Sequence, residues 1–228
     1  MEWHWRMGRI ILPIKLKKLY KMTARFSQWI YLPDTFIIFD TEYTAWEGSQ
    51  ERDWSGANEY RELVQISALR ILKINHTIEI VEHFNAYILP RKNPILSKYF
   101  INLTGITQQK LEQQGQSFST AMTQFYTFCQ KDHRKLNLYS MGNDYPVIRE
   151  NLIFNNIPPQ SIWYAWQTKF YDIKPFFSKW VNTVKYTSGT LYKAFGIVPK
   201  NVSVHNANWD CISLFLSLKQ VTHKIRPI

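Results

Sequence analysis

Asp40 and Glu42 follow a short apolar run and are the first side chains whose spacing could support chemistry. Residues 36–39 are all apolar, which predicts a strand covered on both faces. Because side chains alternate along a strand, residues two apart share a face, so both carboxylates would lie together. Such carboxylates repel each other unless a cation lies between them, and Mg²⁺ prefers oxygen ligands. A solvated strand end is the alternative.

A third acid, Asp144, follows a predicted strand at residues 136–140 and a turn at Gly142. It begins the predicted helix that follows this turn. Aspartate is also a preferred helix cap, and Pro146 is typical of a first helical turn. Capping is therefore the alternative interpretation of Asp144.

His205 and Asp210 stand at the entrance to the last predicted helix. Asp210 is one turn before Leu214, on the edge of the apolar stripe, which directs its carboxylate toward the sheet. Five residues correspond to roughly 140° of helical rotation, so His205 is expected to precede the helix. The alternative is an acid favoured by the helix dipole and an ordinary loop histidine.

Taken together, Asp40, Glu42, Asp144, His205 and Asp210 resemble the motif residues of the DEDDh 3′-to-5′ exonucleases in order and in element type. This family belongs to the ribonuclease H-like superfamily and includes proofreading subunits, RNase T and histone-mRNA 3′-exonucleases. Its tyrosine-type cousins carry tyrosine at the position of residue 206, which is asparagine here. The similarity extends over residues 34–228, through the stretches 62–68, 103–107, 171–174 and 189–191.

The resemblance implies a metal-dependent exonuclease that hydrolyses terminal phosphodiesters of single-stranded RNA or DNA to 5′-mononucleotides. It implies that two Mg²⁺ ions (or Mn²⁺) are held by the four acids and that His205 is the general base. It also implies an α/β, ribonuclease H-like fold: a mixed five-stranded sheet with one antiparallel strand, flanked by helices. Metal ligands are expected at Asp40, Glu42, Asp144 and Asp210.

Nucleic-acid contacts are expected next to the first two motifs. Tyr43, Trp46 and Trp54 could stack on a terminal base, because single strands are held by stacking and phosphate contacts. Thr41 could contact the terminal sugar through its backbone, and Asn143 adjoins the third acid. Ordinary packing in the core or in loops is the alternative for each aromatic residue.

The elements that must position these residues follow from periodicity. Branched and apolar residues predict two antiparallel strands at 63–71 and 78–89, joined by a turn at 75–76. Apolar residues at steps of three and four from Phe118 predict a helix capped by Ser117. Further elements are expected in this order: a strand at 136–140, a helix at 144–154, a helical piece at 173–181 and a closing helix through 211–221.

Composition limits the class of protein. The content of 45% hydrophobic and 20% charged residues is typical of a globular chain, and the net charge of +11 suggests a polyanionic partner. Residues 1–33 carry seven basic side chains and one acid, and are expected to be a basic extension of a 34–228 domain, either disordered or in contact with nucleic acid or anionic lipid. Only Cys129 and Cys211 are present, which favours a reducing, cytoplasmic location. No membrane span or secretory signal is expected.

Two other functions remain open at this point. One is a nucleic-acid-binding module that has the fold without the reaction, and the other is a proofreading subunit bound to a polymerase. The sequence does not distinguish RNA from DNA, a monomer from a homodimer, or the presence of a protein partner from its absence.

Overall fold

A six-stranded mixed sheet is the centre of the computed structural model, which describes residues 32–75, 77–131, 134–158, 166–200, 202 and 205–224. Its strand order is β4-β3-β2-β1-β7-β8, and β5 and β6 pair separately. The strands are β1 Thr35–Tyr43, β2 Leu63–Ile74, β3 Thr77–Ile88, β4 Gly115–Gln116, β5 Gln130–Lys131, β6 Arg134–Lys135, β7 Leu138–Ser140 and β8 Phe170–Asp172. The α-helices are α1 Lys98–Thr104, α2 Gln108–Gln114, α3 Phe118–Phe128, α4 Asp144–Phe154, α5 Lys174–Phe177 and α6 Ala207–Lys224.

Strand β1 lies inside the sheet between β2 and β7, as its uninterrupted apolar run predicts. Phe36, Ile37, Ile38 and Phe39 are all 0% exposed. Phe36 and Ile38 belong to the core on the α6 side, and Ile37 and Phe39 belong to the core on the α3 and α4 side. Burial of each of these side chains contributes about 1.5–3 kcal/mol to the stability of the fold. Strand β1 is therefore a rigid base for the residues that follow it.

The predicted α/β architecture is confirmed, with one difference in strand number. Strand β2 pairs antiparallel with β1 and β3, and the other neighbours pair in parallel, so one strand of the six runs against the rest. The sixth strand, β4, has two residues and no apolar pattern of its own. It forms because backbone groups pair with the end of β3, for example through Leu89 N–H to Gln116 O at 2.9 Å.

Helices α3, α4 and α6 form where periodicity and capping predict them, whereas α1 and α2 were not predicted. The Ser117 hydroxyl accepts a hydrogen bond from Thr120 N–H and begins α3, which buries Phe118, Ala121, Met122 and Phe125. Helix α4 spans the predicted residues, and the helical piece at 173–181 is shorter, from Lys174 to Phe177. Short 3₁₀ segments at Trp166–Lys169, Thr183–Lys185 and Ser188–Phe195 complete this half of the chain.

Helix α6 packs across the opposite face of the sheet and against the 3₁₀ segment 188–195. Leu214, Leu218 and Val221 are fully buried in that core. Cys129 and Cys211 are both buried and free. Among the described residues, no helix is long and apolar enough to cross a membrane.

The expected basic extension lies almost wholly outside the described residues, which begin at Leu32. Leu32 itself is buried in the core on the α6 side. The boundary between the basic extension and the 34–228 domain stays a prediction, and so does the role of residues 1–31.

Glu62 fixes the segment between β1 and β2, which forms one side of the site described below. Its buried carboxylate accepts backbone N–H bonds from Arg91, Lys92 and Asn93 at 2.6–3.0 Å. Its own N–H donates to Thr44 Oγ1 at 2.9 Å, and Thr44 N–H donates to its carbonyl at 2.9 Å. One acid thus ties the end of the segment to the loop after β3.

Replacing Glu62 by Ala should therefore destabilise the protein, because the backbone N–H groups of residues 91–93 lose their charged acceptor. Bonds to a charged group are worth about 1.5–3 kcal/mol each, and we expect a net loss of roughly 2–4 kcal/mol. Urea denaturation followed by tryptophan fluorescence measures this loss. Glu79→Ala on the exposed part of β3 is the control, and an equal stability of the two variants would contradict the anchoring role.

Candidate active site

Three acids from two distant parts of the chain meet at the end of β1. Asp40, Glu42 and Asp210 each offer one carboxylate oxygen, and these oxygens all lie within 4.8 Å of one another. Asp40 and Glu42 share the face of β1 that is turned toward α6, and Asp210 lies in the first turn of α6. Asp40 is 5% exposed and Asp210 4%, and Glu42 is partly buried. A register shift in the pairing with β2 follows Glu42 directly.

Asp144 approaches the same place from the other layer of the fold. Its Oδ1 accepts hydrogen bonds from Thr41 N–H at 2.9 Å and from Thr41 Oγ1 at 2.7 Å. The N-cap position of α4 is Asn143, whose side chain makes no capping bond. Asp144 therefore does not cap the helix, and its carboxylate is directed to β1. Both polar donors of Thr41 serve this carboxylate.

The electrostatics of the cluster favour a bound cation. Burial, and then the charges of the other acids, raise the pKa of Asp40 and Glu42 well above their ordinary values. Burial also raises the pKa of Asp144 against the opposing bonds from Thr41, and raises the pKa of Asp210 to about 7 against a bond from Ser188. Four acids this close share their protons or need positive charge between them.

One carboxylate oxygen of the cluster also lacks a hydrogen-bond partner, and a cation could bind it instead. Oδ1 of Asp210 is buried and has no hydrogen-bond partner in the described part of the chain. Carboxylate oxygens without nitrogen or sulfur donors are the ligand set that hard divalent cations prefer. The residues at this position therefore fit a divalent metal ion.

Ser188 and Gly189 lie against the Asp210 carboxylate. Ser188 Oγ donates to Asp210 Oδ2 at 2.9 Å, while Ser213 Oγ donates to the Ser188 carbonyl at 2.5 Å. Trp209 Nε1 donates to the Gly189 carbonyl at 2.9 Å. A methyl group on Gly189 would lie 2.3 Å from Asp210 Oδ1. A larger residue at position 189 would therefore clash with that oxygen, and only glycine leaves room for it.

His205 lies in the cleft immediately before α6, as the spacing predicts. Its backbone is left-handed, with φ of 61°, a conformation that is uncommon for a residue with a side chain. The Asn206 side chain accepts Asn208 N–H at 3.2 Å, and Gln65 Oε1 accepts Ala207 N–H at 3.2 Å. Burial lowers the pKa of His205, so its imidazole is neutral near pH 7.

A cleft of about 590 Å³ opens above the acids. Of the residues expected to contact nucleic acid, Thr41, Tyr43 and Asn143 line it, whereas Trp46 is not among its lining residues. Trp54 does line it, with its ring 5.4 Å from that of Tyr43.

The cleft also contains Tyr99, Tyr186, Thr187 and Ser188, which the sequence reasoning did not select, and Leu103 and Lys174, which it saw only as parts of stretches similar to the family. Gln65 and Gly189 were seen only as parts of stretches similar to the family. The long stretch from 173 to 209 without an acid was a signal that could have drawn attention to Lys174.

Comparison with known proteins agrees with this geometry. The chain matches the Exonuclease (RNase_T) family over residues 37–214, which includes all five motif residues. The 3′-5′ exonuclease Snipper of Drosophila melanogaster is 34% identical over 129 residues, 56% of this chain and 42% of Snipper. Human 3′-5′ exoribonuclease 1 is 26% identical over 181 residues, 78% of this chain and 46% of that protein. The chain spans less than half the length of these two relatives.

Among solved structures, the nuclease domain of 3′hExo, described as a DEDDh family member bound to rAMP, has a TM-score of 0.68 at 18% identity. The match covers 85% of this chain and 94% of that domain. Cell-death related nuclease 4 has a TM-score of 0.61 at 20% identity, covering 84% of this chain and 64% of that one. The expected ribonuclease H-like fold is confirmed by these matches.

The raised carboxyl pKa values predict how the metal-free protein responds to pH. The folded state holds these protons more tightly than the unfolded chain, so stability is present at low pH and is lost as pH rises through the folded-state values. For Asp210 that window runs from its ordinary 3.8 to about 7. In chelator, we expect the Tm to fall between pH 5 and pH 8 and divalent cation to restore it.

Asp210→Asn isolates this effect, since asparagine keeps the shape and cannot ionise. Its Tm in chelator at pH 8 should exceed that of the unmodified protein, by about 2–4 °C for each kcal/mol of relieved repulsion. It should gain less than the unmodified protein when Mg²⁺ is added. Differential scanning calorimetry at both pH values measures this, and a metal-free Tm that rises from pH 5 to pH 8 would contradict it.

Gly189→Ala tests the fit around Asp210. The added methyl group should displace the carboxylate and weaken divalent-cation affinity about 10- to 100-fold, the range seen when groups that orient metal ligands are changed. Titration calorimetry with Mn²⁺ measures the affinity. Gly56→Ala is the matched control, because its methyl group would meet the movable carboxylate of Glu59. Equal Mn²⁺ affinity in both variants would show that Gly189 is dispensable.

Proposed function

This chain belongs to the Exonuclease family, and on that premise we propose that it is a metal-dependent 3′-to-5′ exonuclease. Its reaction would be hydrolysis of the terminal phosphodiester of a single-stranded nucleic acid, with release of a 5′-mononucleotide. The observation that carries the proposal is the meeting of Asp40, Glu42 and Asp210 within 4.8 Å, beside Asp144 and His205 in one cleft.

The acids would hold two divalent cations, Mg²⁺ or Mn²⁺. Asp40, Glu42 and Asp210 would bind one, and Asp144, with Asp40 shared, would bind the other. Such ions supply positive charge that stabilises the attacking and leaving oxygens of an in-line displacement. The unpartnered Oδ1 of Asp210 supports this assignment.

His205 would accept the proton of the attacking water. A base must be unprotonated before the reaction, and the lowered pKa of His205 meets that condition near neutral pH. Because the acids and the imidazole lie in one cleft, the proton has a nearby acceptor that is not needed as a metal ligand. The left-handed backbone at residue 205 and the hydrogen bond from Ala207 N–H to Gln65 set the backbone position from which the His205 side chain extends.

The rest of the cleft would hold the terminal nucleotide. Tyr43, Trp54 and Tyr99 offer aromatic surface next to the acids, and stacking on such rings is sequence-tolerant. Trp54 is fixed, because its Nε1 donates to the Thr44 carbonyl at 2.9 Å and the Arg61 guanidinium lies 5.5 Å from its ring centre. Asn143 is exposed beside Asp144 and would contact the sugar or phosphate.

RNA and DNA are both proposed as substrates. One relative is named an exoribonuclease, and one solved neighbour, E. coli ExoI, is described in complex with single-stranded DNA. The cleft carries no feature that decides between them, because a few contacts to the 2′-hydroxyl would suffice. Parallel digestion of RNA and DNA of one sequence, with Mg²⁺ or with chelator, tests the activity and ranks the substrates.

His205→Ala and Asp40→Ala separate the role of general base from the role of metal ligand. The His205 variant should lose about 10²–10⁴-fold in turnover while it still binds Mn²⁺, since general-base catalysis contributes that much. The Asp40 variant should lose Mn²⁺ binding and turnover together. Release of labelled mononucleotide and titration calorimetry give the two readouts.

His83→Ala is the control for the histidine change, because His83 lies exposed on β3. Turnover of the His205 variant equal to that of the His83 variant would remove His205 from the mechanism. Absence of mononucleotide release by the unmodified protein, with either metal and either nucleic acid, would leave the binding module as the function.

A further inference from the structure

The two sides of the cleft carry opposite charge. From Ile173 to Trp209 the sequence has five lysines and no aspartate or glutamate. Residues 44–62 have five acids and two arginines. The first stretch follows β8 and the second leads into β2, and β2 and β8 lie on opposite sides of β1 in the sheet, β2 as its direct neighbour and β8 beyond β7. The acids of the site thus lie between a cationic side and an acidic side.

Cations on the acidic side are already neutralised. Arg52 Nε donates to Glu59 at 2.9 Å, and Arg61 Nε donates to Glu150 at 3.0 Å. The salt bridges found in the described residues include no lysine from 174 to 200. Between these two stretches, the cationic side chains of described residues that are in no salt bridge therefore lie on the β8 side.

Lys174 brings that charge into the cleft itself. It follows the carboxyl end of β8, which is parallel to β7 and β1, so the three strand ends meet at one edge of the sheet. Neighbouring strands are about 4.8 Å apart, which places the end of β8 roughly 10 Å from that of β1. Lys174 is exposed and lines the cleft. The adjacent Asp172 carboxylate accepts Lys174 N–H at 2.8 Å.

Two further residues extend the cationic side. Tyr186 lines the cleft, and Lys185 beside it is exposed at the end of the 3₁₀ segment 183–185. Val184 is 85% exposed next to them. Lysine and aromatic side chains in alternation are typical of surfaces that bind single-stranded nucleic acid.

We propose that Lys174 and Lys185, with Tyr186, bind the phosphodiester backbone of the strand whose 3′ end lies at the acids. The strand then leaves the site over β8, away from residues 44–62. This inference rests on the proposed exonuclease function and adds the path of the substrate to it. The physical reason is that each phosphate is attracted to the unpaired lysines and repelled by the acids of the other side.

Single and double replacement of the lysines by alanine tests the path. kcat/KM for mononucleotide release from an oligonucleotide of about 12 nucleotides, RNA and DNA in parallel, is measured at several salt concentrations. We expect Lys174→Ala and Lys185→Ala each to lower kcat/KM about fivefold at low salt. The dependence of log kcat/KM on log salt should become shallower by about 0.7 for each lysine removed.

Lys110→Ala is the matched control, because Lys110 lies over the Tyr87 ring at 4.7 Å and does not line the cleft. It removes the same charge and should change neither quantity. Lys174→Arg should retain most of kcat/KM, because it keeps the charge. Should an alanine variant fail to fold by circular dichroism, Lys174→Gln and Lys185→Gln replace it.

A second readout locates the contacted phosphate. Oligonucleotides are prepared with one neutral methylphosphonate linkage, placed in turn at each position upstream of the terminal bond. The unmodified protein should release mononucleotides more slowly when the neutral linkage is at the contacted position. Lys174→Ala should be insensitive to the neutral linkage at that position.

The outcomes separate the two proposals. One outcome is that the unmodified protein digests the oligonucleotide and the lysine variants match Lys110→Ala in rate and salt dependence. This result overturns the proposed path and leaves the exonuclease function intact. No digestion of either nucleic acid overturns the function itself.

Discussion

Mutual repulsion among buried carboxylates is the constraint on which the rest of this structure depends. Asp40, Glu42, Asp144 and Asp210 lie close enough for each to raise the pKa of another, and burial raises all of them further. A fold built for stability alone would not place four acids there, because every lost hydration shell costs free energy. Divalent cations between the acids would neutralise this charge, so on the proposed function the stability of this region depends on metal binding.

Rigid surroundings are what allow such a cluster to persist. Strand β1 is buried on both faces, and helix α6 packs across one of them, so the elements that carry the acids cannot separate easily. Local bonds then set each side chain. Thr41 holds Asp144, Ser188 holds one oxygen of Asp210, and Gly189 leaves room for the other. Contacts within the chain thus orient these carboxylates, which is what the proposed metal binding requires.

The charge around the cleft complements the charge within it. A nucleic-acid end must approach four acids, and the cleft offers free positive charge on the β8 side while the arginines of residues 44–62 are paired. The net charge of +11 for the whole chain does not reveal this, because much of it is in residues 1–33. The distribution of charge between the two sides of the cleft, and not its sum, is the basis of the proposed substrate path.

Much of this was determined by the sequence. The apolar run before Asp40 fixed a buried strand, period two placed Asp40 and Glu42 on one face, and capping and periodicity gave α3, α4 and α6 close to their observed bounds. Local patterns are readable because they depend on neighbours in the chain. The count of strands was less accurate, because the two residues of β4 pair only through their backbone with β3 and leave no side-chain pattern.

The tertiary structure decided what depends on residues far apart in the chain. Whether Asp144 capped a helix or faced β1 was settled by Thr41, which lies 103 residues away. The roles of Ser188, Gly189 and Gln65 in holding Asp210 and the start of α6 were equally hidden, since each acts through a contact made only when separate elements pack. The sequence determined which chemical groups and local elements are present, whereas packing determined which groups meet, because convergence is a property of the folded chain.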